Sequence, residues 1–594
     1  MRILGVSCYF HDAAAALLED GLLVAAAEEE RFTRIKHDFG FPSRAIAFCL
    51  HQAGIRGADL DYVVFFEKPF IKFERILQTA IATVPRSSTV FRKAMTTWML
   101  DKLWIKSRIR DGLGIPADRI LFVEHHQSHA ASAFYCSPFE KAALLTVDGV
   151  GEWATATTGV GSGTSLTLDG EIRFPHSLGL LYSAFTAFLG FEVNEGEYKV
   201  MGMAPYGVPS FQDEVWRLID VAPDGSFALN LDYFEFQSSA TRTFSTAFEK
   251  LFGLPRPPET PFFTAASGYP TYFGSKPSNY SELEAKNQHY ADIAASIQLV
   301  VEEILLRMVR SLCERTSCTS LCMAGGVALN SVANGRILRE TPVRDLYVQP
   351  AAGDSGAALG AALFAYHQVL GQPRRFVMSH GAWGAASEPE AVRSAASVSG
   401  LRAVEVASDE QLTDRVVDLL TEGKVIGWSQ GRFEWGPRAL GQRSILADPR
   451  RAEMKDIVNT KIKFREPYRP FAPSVLLERC RDLFDLSEPD RHYPARFMLV
   501  VVPVLESCRD RIPAVTHVDG SARVQTVVRE TSPLYYSLIE KFGQATGVPV
   551  LMNTSFNLRG EPIVNTPAEA VSTFVRSGMD ALVVDHTIFS RDLS

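Results

Sequence analysis

The sequence has no C-x-x-C pair. Its eight cysteines are scattered over 594 residues, which excludes a zinc ribbon, an iron–sulfur site and a disulfide framework as organising elements. It also lacks any apolar run approaching the roughly 18 residues that a membrane span needs. Basic charge is not in excess: Lys and Arg number 60 against 68 Asp and Glu, for a net charge of -8 and a pI near 6.0. The chain therefore has no general electrostatic reason to bind a polyanion. Neither a nucleic acid nor a membrane is an expected partner. Met1 to Val6 runs straight into a strand pattern, without the apolar core and small-residue cleavage site of a secretory signal. A cytoplasmic protein is expected.

What is present is ordinary globular composition, 46% hydrophobic and 22% charged. The chain is longer than the roughly 250–300 residues at which a single core stops growing. Two α/β domains are expected, 1–375 and 376–594, divided where the pattern breaks between Gly371 and Gly384.

The most informative stretch is Val123-Glu124-His125-His126-Gln127-Ser128-His129. If a helix begins by Gln127, the four-residue spacing of His125 and His129 puts both imidazoles on one face, able to grip one metal ion. A carboxylate must complete such a site. Asp148 ends the apolar strand 142–147 at a glycine turn, where side chains point into the crevice above a sheet. Asp354, in Ala351-Ala352-Gly353-Asp354-Ser355-Gly356, is a second candidate. An isolated H-x-x-x-H more often caps a helix, so its surroundings must decide.

Those surroundings repeat. Ile3 to Ala27 reads as strand, turn, strand, turn, strand, and the plan recurs from Ala142 to Leu168. Two hairpins of one design suggest a duplicated α/β domain with a nucleotide in the cleft, its phosphates held by backbone N–H groups. Gly325-Gly326 with Asn330, and Gly353 with Asp354, each follow a strand and precede a small-residue helix, which suits a phosphate-binding turn. The run Glu28 to Lys36 is read either as a solvated helix end or as an anion clamp. Tyr290 to Cys313 is a long helix whose apolar stripe belongs to the core.

In the second domain, basic residues concentrate in Gly436 to Arg443, in Lys461 to Arg469 and around Arg523. Such planar, multidentate donors suit phosphate or carboxylate recognition. Asn553-Thr554-Ser555-Phe556-Asn557 adds neutral hydrogen-bonding groups after an apolar strand.

Taken together, Gly5 to Ala14, His125 to Phe134 and Asn553 to Asn557 resemble the ATP-dependent O-carbamoyltransferases of the nodulation and antibiotic-tailoring type, which include the tobramycin, cephamycin and ansamycin carbamoyltransferases. The resemblance runs nearly end to end. It implies an actin/Hsp70-like, threonylcarbamoyl-transferase-like N-terminal domain and a C-terminal domain like the YrdC/Sua-type threonylcarbamoyl-adenylate synthases. Lys463-Phe464-Arg465 and Ser555-Phe556-Asn557 look like that type's K-x-R and S-x-N signatures.

The resemblance also implies a reaction sequence. The C-terminal domain hydrolyses carbamoyl phosphate, using Arg438, Lys463, Arg469 and Arg523 with Ser555 and Asn557 around the anion. The carbamate passes inside to the N-terminal domain, reacts with ATP to give carbamoyl-adenylate and pyrophosphate, and is transferred to a hydroxyl. A metal on His125, His129, Asp148 and Asp354 would orient the nucleotide phosphates. Two imidazoles favour a transition metal, Fe(II) first with Mn(II) or Zn(II) as alternatives, over Mg(II). A separate Mg(II) would accompany ATP. Gly325, Gly326, Gly353 and Asn330 would approach the nucleotide, His11 would serve as the general base, and Lys36 would stabilise the carbonyl oxygen or the carbamoyl-adenylate.

The expected acceptor is a hydroxyl-bearing small molecule of natural-product or antibiotic biosynthesis, selected by insertions such as 69–109 and 256–280. A homodimer is the preferred assembly. The alternative reading, a tRNA threonylcarbamoyl-modifying enzyme, is disfavoured by the acidic net charge. A hydrogenase-maturation carbamoyltransferase would carry C-x-x-C pairs, which this chain lacks. A catalytically idle actin-like binding protein is disfavoured because both sets of polar residues are present.

Overall fold

The computed structural model describes the chain except for residues 101, 240, 271–273 and 592–594. The excepted residues include parts of both insertions expected to select an acceptor; residues 101 and 271–273 lie outside the described residues. The architecture is mixed α/β in two compact units. Unit 1 comprises 1–29, 37–269 and 276–378, and unit 2 comprises 30–36, 270–275 and 379–594.

Unit 1 holds two five-stranded sheets. The first contains β1 (Arg2–Ser7), β2 (Ala14–Glu19), β3 (Leu22–Glu28), β4 (Tyr62–Phe65) and β5 (Ile120–Phe122), in the order β3-β2-β1-β4-β5. The second contains β6 (Lys141–Val147), β7 (Ala154–Ser162), β8 (Ser165–Arg173), β9 (Ser320–Ala324) and β10 (Asp345–Tyr347), in the order β10-β9-β6-β7-β8. In each, three antiparallel strands form a meander whose first strand continues the sheet through two parallel strands. The duplication legible in the hairpins is thus present in the strand order itself. Central strands β1 and β6 are buried along nearly their whole length, as strands covered on both faces must be, whereas β8 alternates toward solvent.

Four helices of unit 1 position its polar residues: α1 (His125–Phe134), α2 (Tyr280–Thr316), α3 (Ser331–Glu340) and α4 (Asp354–Phe364). The first begins at His125 itself, two residues before Gln127, so both histidines lie in its opening turns. The second spans 37 residues, well beyond the expected 290–313. Small residues give α4 (DSGAALGAALF) its close approach to two neighbours. A Cβ on Gly360 would lie 1.8 Å from the Ser128 carbonyl oxygen of α1, and one on Gly5 of β1 would lie 1.8 Å from the Ala358 carbonyl oxygen of α4. Backbone meets backbone at both points, and this brings Asp354 to the start of α1.

Unit 2 is built on an eight-stranded mixed sheet of β11 (Arg402–Glu405), β12 (Ile426–Ser429), β13 (Arg443–Ala447), β14 (Ala472–Leu476), β15 (Gln525–Val527), β16 (Val550–Ser555), β17 (Ala581–Val584) and β18 (Thr587–Ser590). Their order is β11-β18-β17-β12-β13-β16-β14-β15. Helices Asp409–Thr421 and Pro533–Thr546 pack Leu412, Val416, Leu538 and Phe542 onto Trp428 and Leu551 of the sheet. Segment 30–36 belongs to this unit. Arg31 donates to the Gly436 carbonyl at 2.7 Å, and Arg34 donates to the Ile563 and Pro562 carbonyls at 2.7 and 2.9 Å. The charge run is therefore not a solvated helix end, because Arg31 is buried.

Gly360→Ala should cost about 1–3 kcal/mol, the usual range for overpacking a tight contact. A lowered thermal midpoint together with reduced metal content checks both the packing and its consequence for the site.

Candidate active sites

The α1 histidines meet both predicted carboxylates. His125 Nε2 lies 3.0 Å from Asp148 Oδ2, 3.0 Å from His129 Nε2 and 3.6 Å from Asp354 Oδ1. His129 Nε2 lies 3.4 Å from Asp148 Oδ2 and 3.5 Å from Asp354 Oδ1. All four residues are buried. Bonds of about 2.1 Å to a shared ion put neighbouring ligand atoms about 3.0 Å apart in an octahedron and about 3.4 Å apart in a tetrahedron. The observed separations fall in and just above this range, and two buried carboxylates facing two imidazoles call for a cation. The residues fit a metal.

His125 and Asp148 are held from outside the cluster. Glu152 accepts the His125 backbone N–H on both oxygens at 3.1 Å, and also the Lys68 N–H at 2.7 Å. Asp148 Oδ1 accepts the Gly326 N–H at 2.9 Å. Phe66 packs edge-on against His125 at 5.4 Å. The Nδ1 atoms of His125 and His129 are buried without a hydrogen-bond partner among the described residues, so packing orients these rings. Burial opposes an imidazolium at His129, but Asp148 and Asp354 outweigh it and hold its pKa up at about 9. Burial likewise opposes ionised Asp148, yet His125 and His129 keep it well below the usual carboxylate range. His126 turns away to Thr146 Oγ1 at 2.6 Å, and burial holds it neutral.

His11, also in unit 1, is part of a cluster the sequence reading missed. Its Nδ1 is 2.8 Å from Asp12 Oδ2, and His37 Nδ1 is 2.8 Å from Asp12 Oδ1. Its Nε2 faces the Asn194 carbonyl at 3.1 Å. A carbonyl and a carboxylate only accept, so both ring nitrogens donate and His11 is an imidazolium. Burial opposes that charge, but Asp12 outweighs it and raises the pKa to about 10. His11 has no acceptor nitrogen in this arrangement, so a general-base role requires release from Asn194. Asp12 and His37 were legible only as polar residues near turns; their alignment through Asp12 depends on His37 adopting φ +53°.

The turns expected to approach a nucleotide make the following contacts. Gly326 donates to Asp148, and Gly325, at φ +94°, sits where a Cβ would meet the Val147 carbonyl. Asn330 caps α3 through the Ala333 N–H at 3.2 Å and pairs with Gln298. Gly353 precedes α4 with open space at its Cβ position.

Unit 2 concentrates the opposite charge. A π-helical turn over Val458–Ile462 ends at Lys463, and Phe464 follows at φ +48°, a left-handed conformation that costs a non-glycine residue energy. Lys463 Nζ donates to the Ser555 carbonyl at 2.7 Å, Ser555 Oγ at 3.1 Å, the Asn557 carbonyl at 2.9 Å and Asn557 Oδ1 at 2.5 Å. Both signatures named from sequence therefore meet. Among the described residues no carboxylate bonds to the ammonium. Burial, then Arg465, Arg469 and Lys36, push Lys463 well below the usual lysine range. Burial and the guanidiniums of Arg438, Arg465 and Arg469 do the same to Arg523. Lys36 thus lies among the basic residues of unit 2. Arg443 is structural, donating to the Gln430 and Gln442 carbonyls at 2.9 and 3.1 Å.

A sequence profile described as Carbamoyltransferase N-terminus matches residues 2–363, and one described as Carbamoyltransferase C-terminus matches residues 417–591. The chain belongs to the carbamoyltransferase family and is an enzyme of that class. It is 38% identical to Nodulation protein NolNO of Sinorhizobium fredii, across 97% of this chain and 78% of that protein. It is 46% identical to an uncharacterized protein of Synechocystis, across 99% of this chain and 97% of that one. Component A of the (R)-2-hydroxyglutaryl-CoA dehydratase of Acidaminococcus fermentans aligns at a TM-score of 0.31 and 15% identity, over 62% of this chain and 99% of that chain. That likeness is too slight to argue from, and the strand order above carries the fold.

Two outcomes are expected. Asp148→Asn, which keeps shape and removes charge, should lower the bound transition metal to background in elemental analysis. The His11–Asp12 pair should stabilise the fold fully below the unfolded histidine value of about 6.5, and that contribution should fall as pH rises through the folded value of about 10. The Asp12 contribution, from a depressed pKa, is present above about 3.9 and lost as pH falls below it. Asp12→Asn should flatten both limbs of a plot of melting temperature against pH.

Proposed function

We propose that this carbamoyltransferase uses carbamoyl phosphate and ATP to carbamoylate a hydroxyl of a small-molecule acceptor. The observation that carries the reading is the pairing of two unlike sites in one chain: a buried two-histidine, two-aspartate cluster in unit 1 and a carboxylate-free lysine within an arginine cluster in unit 2.

In unit 2, Arg438, Arg465, Arg469 and Arg523 bind the phosphate of carbamoyl phosphate and neutralise charge as it leaves. Lys463, held by Ser555 and Asn557, adds a fixed positive field. Water attacks the carbamoyl carbon, the carbon–oxygen bond to phosphate breaks, and carbamate and phosphate result.

In unit 1, a carbamate oxygen attacks the α-phosphorus of ATP, expelling pyrophosphate and forming carbamoyl-adenylate. A metal on His125, His129, Asp148 and Asp354 would supply Lewis acidity toward the nucleotide phosphates when bound; Fe(II), Mn(II) and Zn(II) suit its nitrogen and oxygen donors. The acceptor hydroxyl then attacks the carbamoyl carbon and AMP departs. His11, once its Nε2 is released from Asn194 and has given its proton to solvent, takes the hydroxyl proton, and Asp12 stabilises the resulting imidazolium. Phe66 and the surrounding buried residues exclude water from the metal cluster.

Pyrophosphate release from ATP is the decisive measurement. Release should depend on carbamoyl phosphate and fall by about a hundredfold or more in Lys463→Ala and His125→Ala, the scale seen when a preorganised charge-stabilising group is removed. Release that is absent, or independent of carbamoyl phosphate, overturns the reading.

A further inference from the structure

Helix Pro69–Ala82 is built inside out. It buries Lys72 at 2% exposure and Arg75 at 8%, and presents Phe70 at 74% and Ile81 at 67% to the outside. The buried cations have partners: Lys72 Nζ meets Glu67 Oε2 at 2.5 Å and lies 3.9 Å from the centre of the Phe10 ring, while Arg75 stacks over Phe174 at 5.0 Å. The outward residues do not repeat that logic. Phe70, Leu77 and Ile81 fall at intervals of seven and four, one stripe of a 3.6-residue helix, and Val84, in the turn just past the helix, is exposed as well. Glu74 and Gln78 flank the stripe, bonded to each other at 2.8 Å. Leu103 and Trp104 are also exposed in the same insertion.

Charge singles out the same segment. Residues 68–110 hold ten Lys or Arg against two Asp or Glu, a net +8 in a chain of net -8, so the remainder carries -16. Among the described residues Arg86, Arg92 and Lys106 are exposed. Burying lysine while exposing phenylalanine opposes the hydrophobic effect if water lies outside. It accords with that effect if the outer face enters an apolar layer rimmed by negative charge.

We propose that the 68–110 insertion is a peripheral membrane-binding surface, laying its apolar stripe in the plane of a bilayer and its exposed cations on anionic headgroups. No helix among the described residues is long and apolar enough to cross a membrane, so the contact is in-plane. The proposal departs from the sequence reading, which expected no membrane partner. The docked face also begins beside the metal cluster: Lys68 N–H donates to the Glu152 carboxylate that holds the His125 amide.

Vesicle flotation of the intact protein tests this, using phosphatidylcholine with and without phosphatidylglycerol. The wild type should float with the anionic vesicles and stay behind with neutral ones or at high salt. Arg86→Gln/Arg92→Gln/Lys106→Gln should weaken binding about a hundredfold, at roughly a fivefold loss for each surface charge. Phe70→Ser/Ile81→Ser/Val84→Ser should also detach the protein, and its unchanged circular dichroism and metal content would show that the fold survives. Failure of the wild type to bind anionic vesicles overturns the proposal, as does undiminished binding by either triple variant. A wild-type dimer that the serine variant converts to monomer would reassign the face to a second copy of the chain, and tRNA binding that survives the serine variant would reassign it to a polyanion. Pyrophosphate release in solution reports separately on the catalytic reading.

Discussion

Two carboxylates cannot share a buried point unless positive charge stands between them, and unit 1 is arranged around meeting that demand. Asp148 ends β6, Asp354 opens α4, and His125 and His129 occupy the first turns of α1. α1 and β6 follow one another in the chain, but α4 lies some two hundred residues further on. They converge because α4 is made of residues small enough for its backbone to touch both α1 and β1, at Gly360 and Gly5. The loops around the cluster serve it too: Gly326 and Glu152 spend their hydrogen bonds fixing Asp148 and His125.

Unit 2 solves the opposite problem by a different device. Lys463 is buried among neutral acceptors, two carbonyl oxygens, a hydroxyl and an amide oxygen, which satisfy its donors without cancelling its charge. A carboxylate partner would have done both. Arg523 is set near Arg438, Arg465 and Arg469, so positive charge is concentrated here. Unit 1 concentrates negative charge for a cation and unit 2 concentrates positive charge for an anion. That polarity suits the metal proposed for unit 1 and the phosphate-bearing donor proposed for unit 2.

The insertion between β4 and β5 stands apart from both sites because its burial runs against its chemistry. Lys72 and Lys102 gather around Glu67 inside, while aromatic and aliphatic residues face out. The ion pairs account for the inner face; only something apolar beyond the protein accounts for the outer one.

Much of this was legible in the residues. The paired hairpins foretold the duplicated strand order, because alternation and turn residues are local signals. The four-residue spacing of His125 and His129 foretold a shared face, because a helix has a fixed period. Lys463, Ser555 and Asn557 were named from motifs separated by some ninety residues and meet in unit 2. What the sequence could not decide is anything that depends on where backbone groups finish. Gly325, Gly326 and Asn330 read as phosphate-binding positions; the structure shows the partners they have without a nucleotide, Ala352, Asp148, Ala333 and Gln298. His11 reads as a free base near neutral pH, yet Asp12 and the Asn194 carbonyl hold it protonated. Lys36 reads as a group for the carbonyl oxygen or the carbamoyl-adenylate, and its segment clusters with unit 2. The sequence by itself determined which residues could do the chemistry, since composition and periodicity are properties of the chain. Only the tertiary structure decided which of them still have a proton, a lone pair or a charge to spare, because hydrogen-bond capacity is finite and distant segments compete for it.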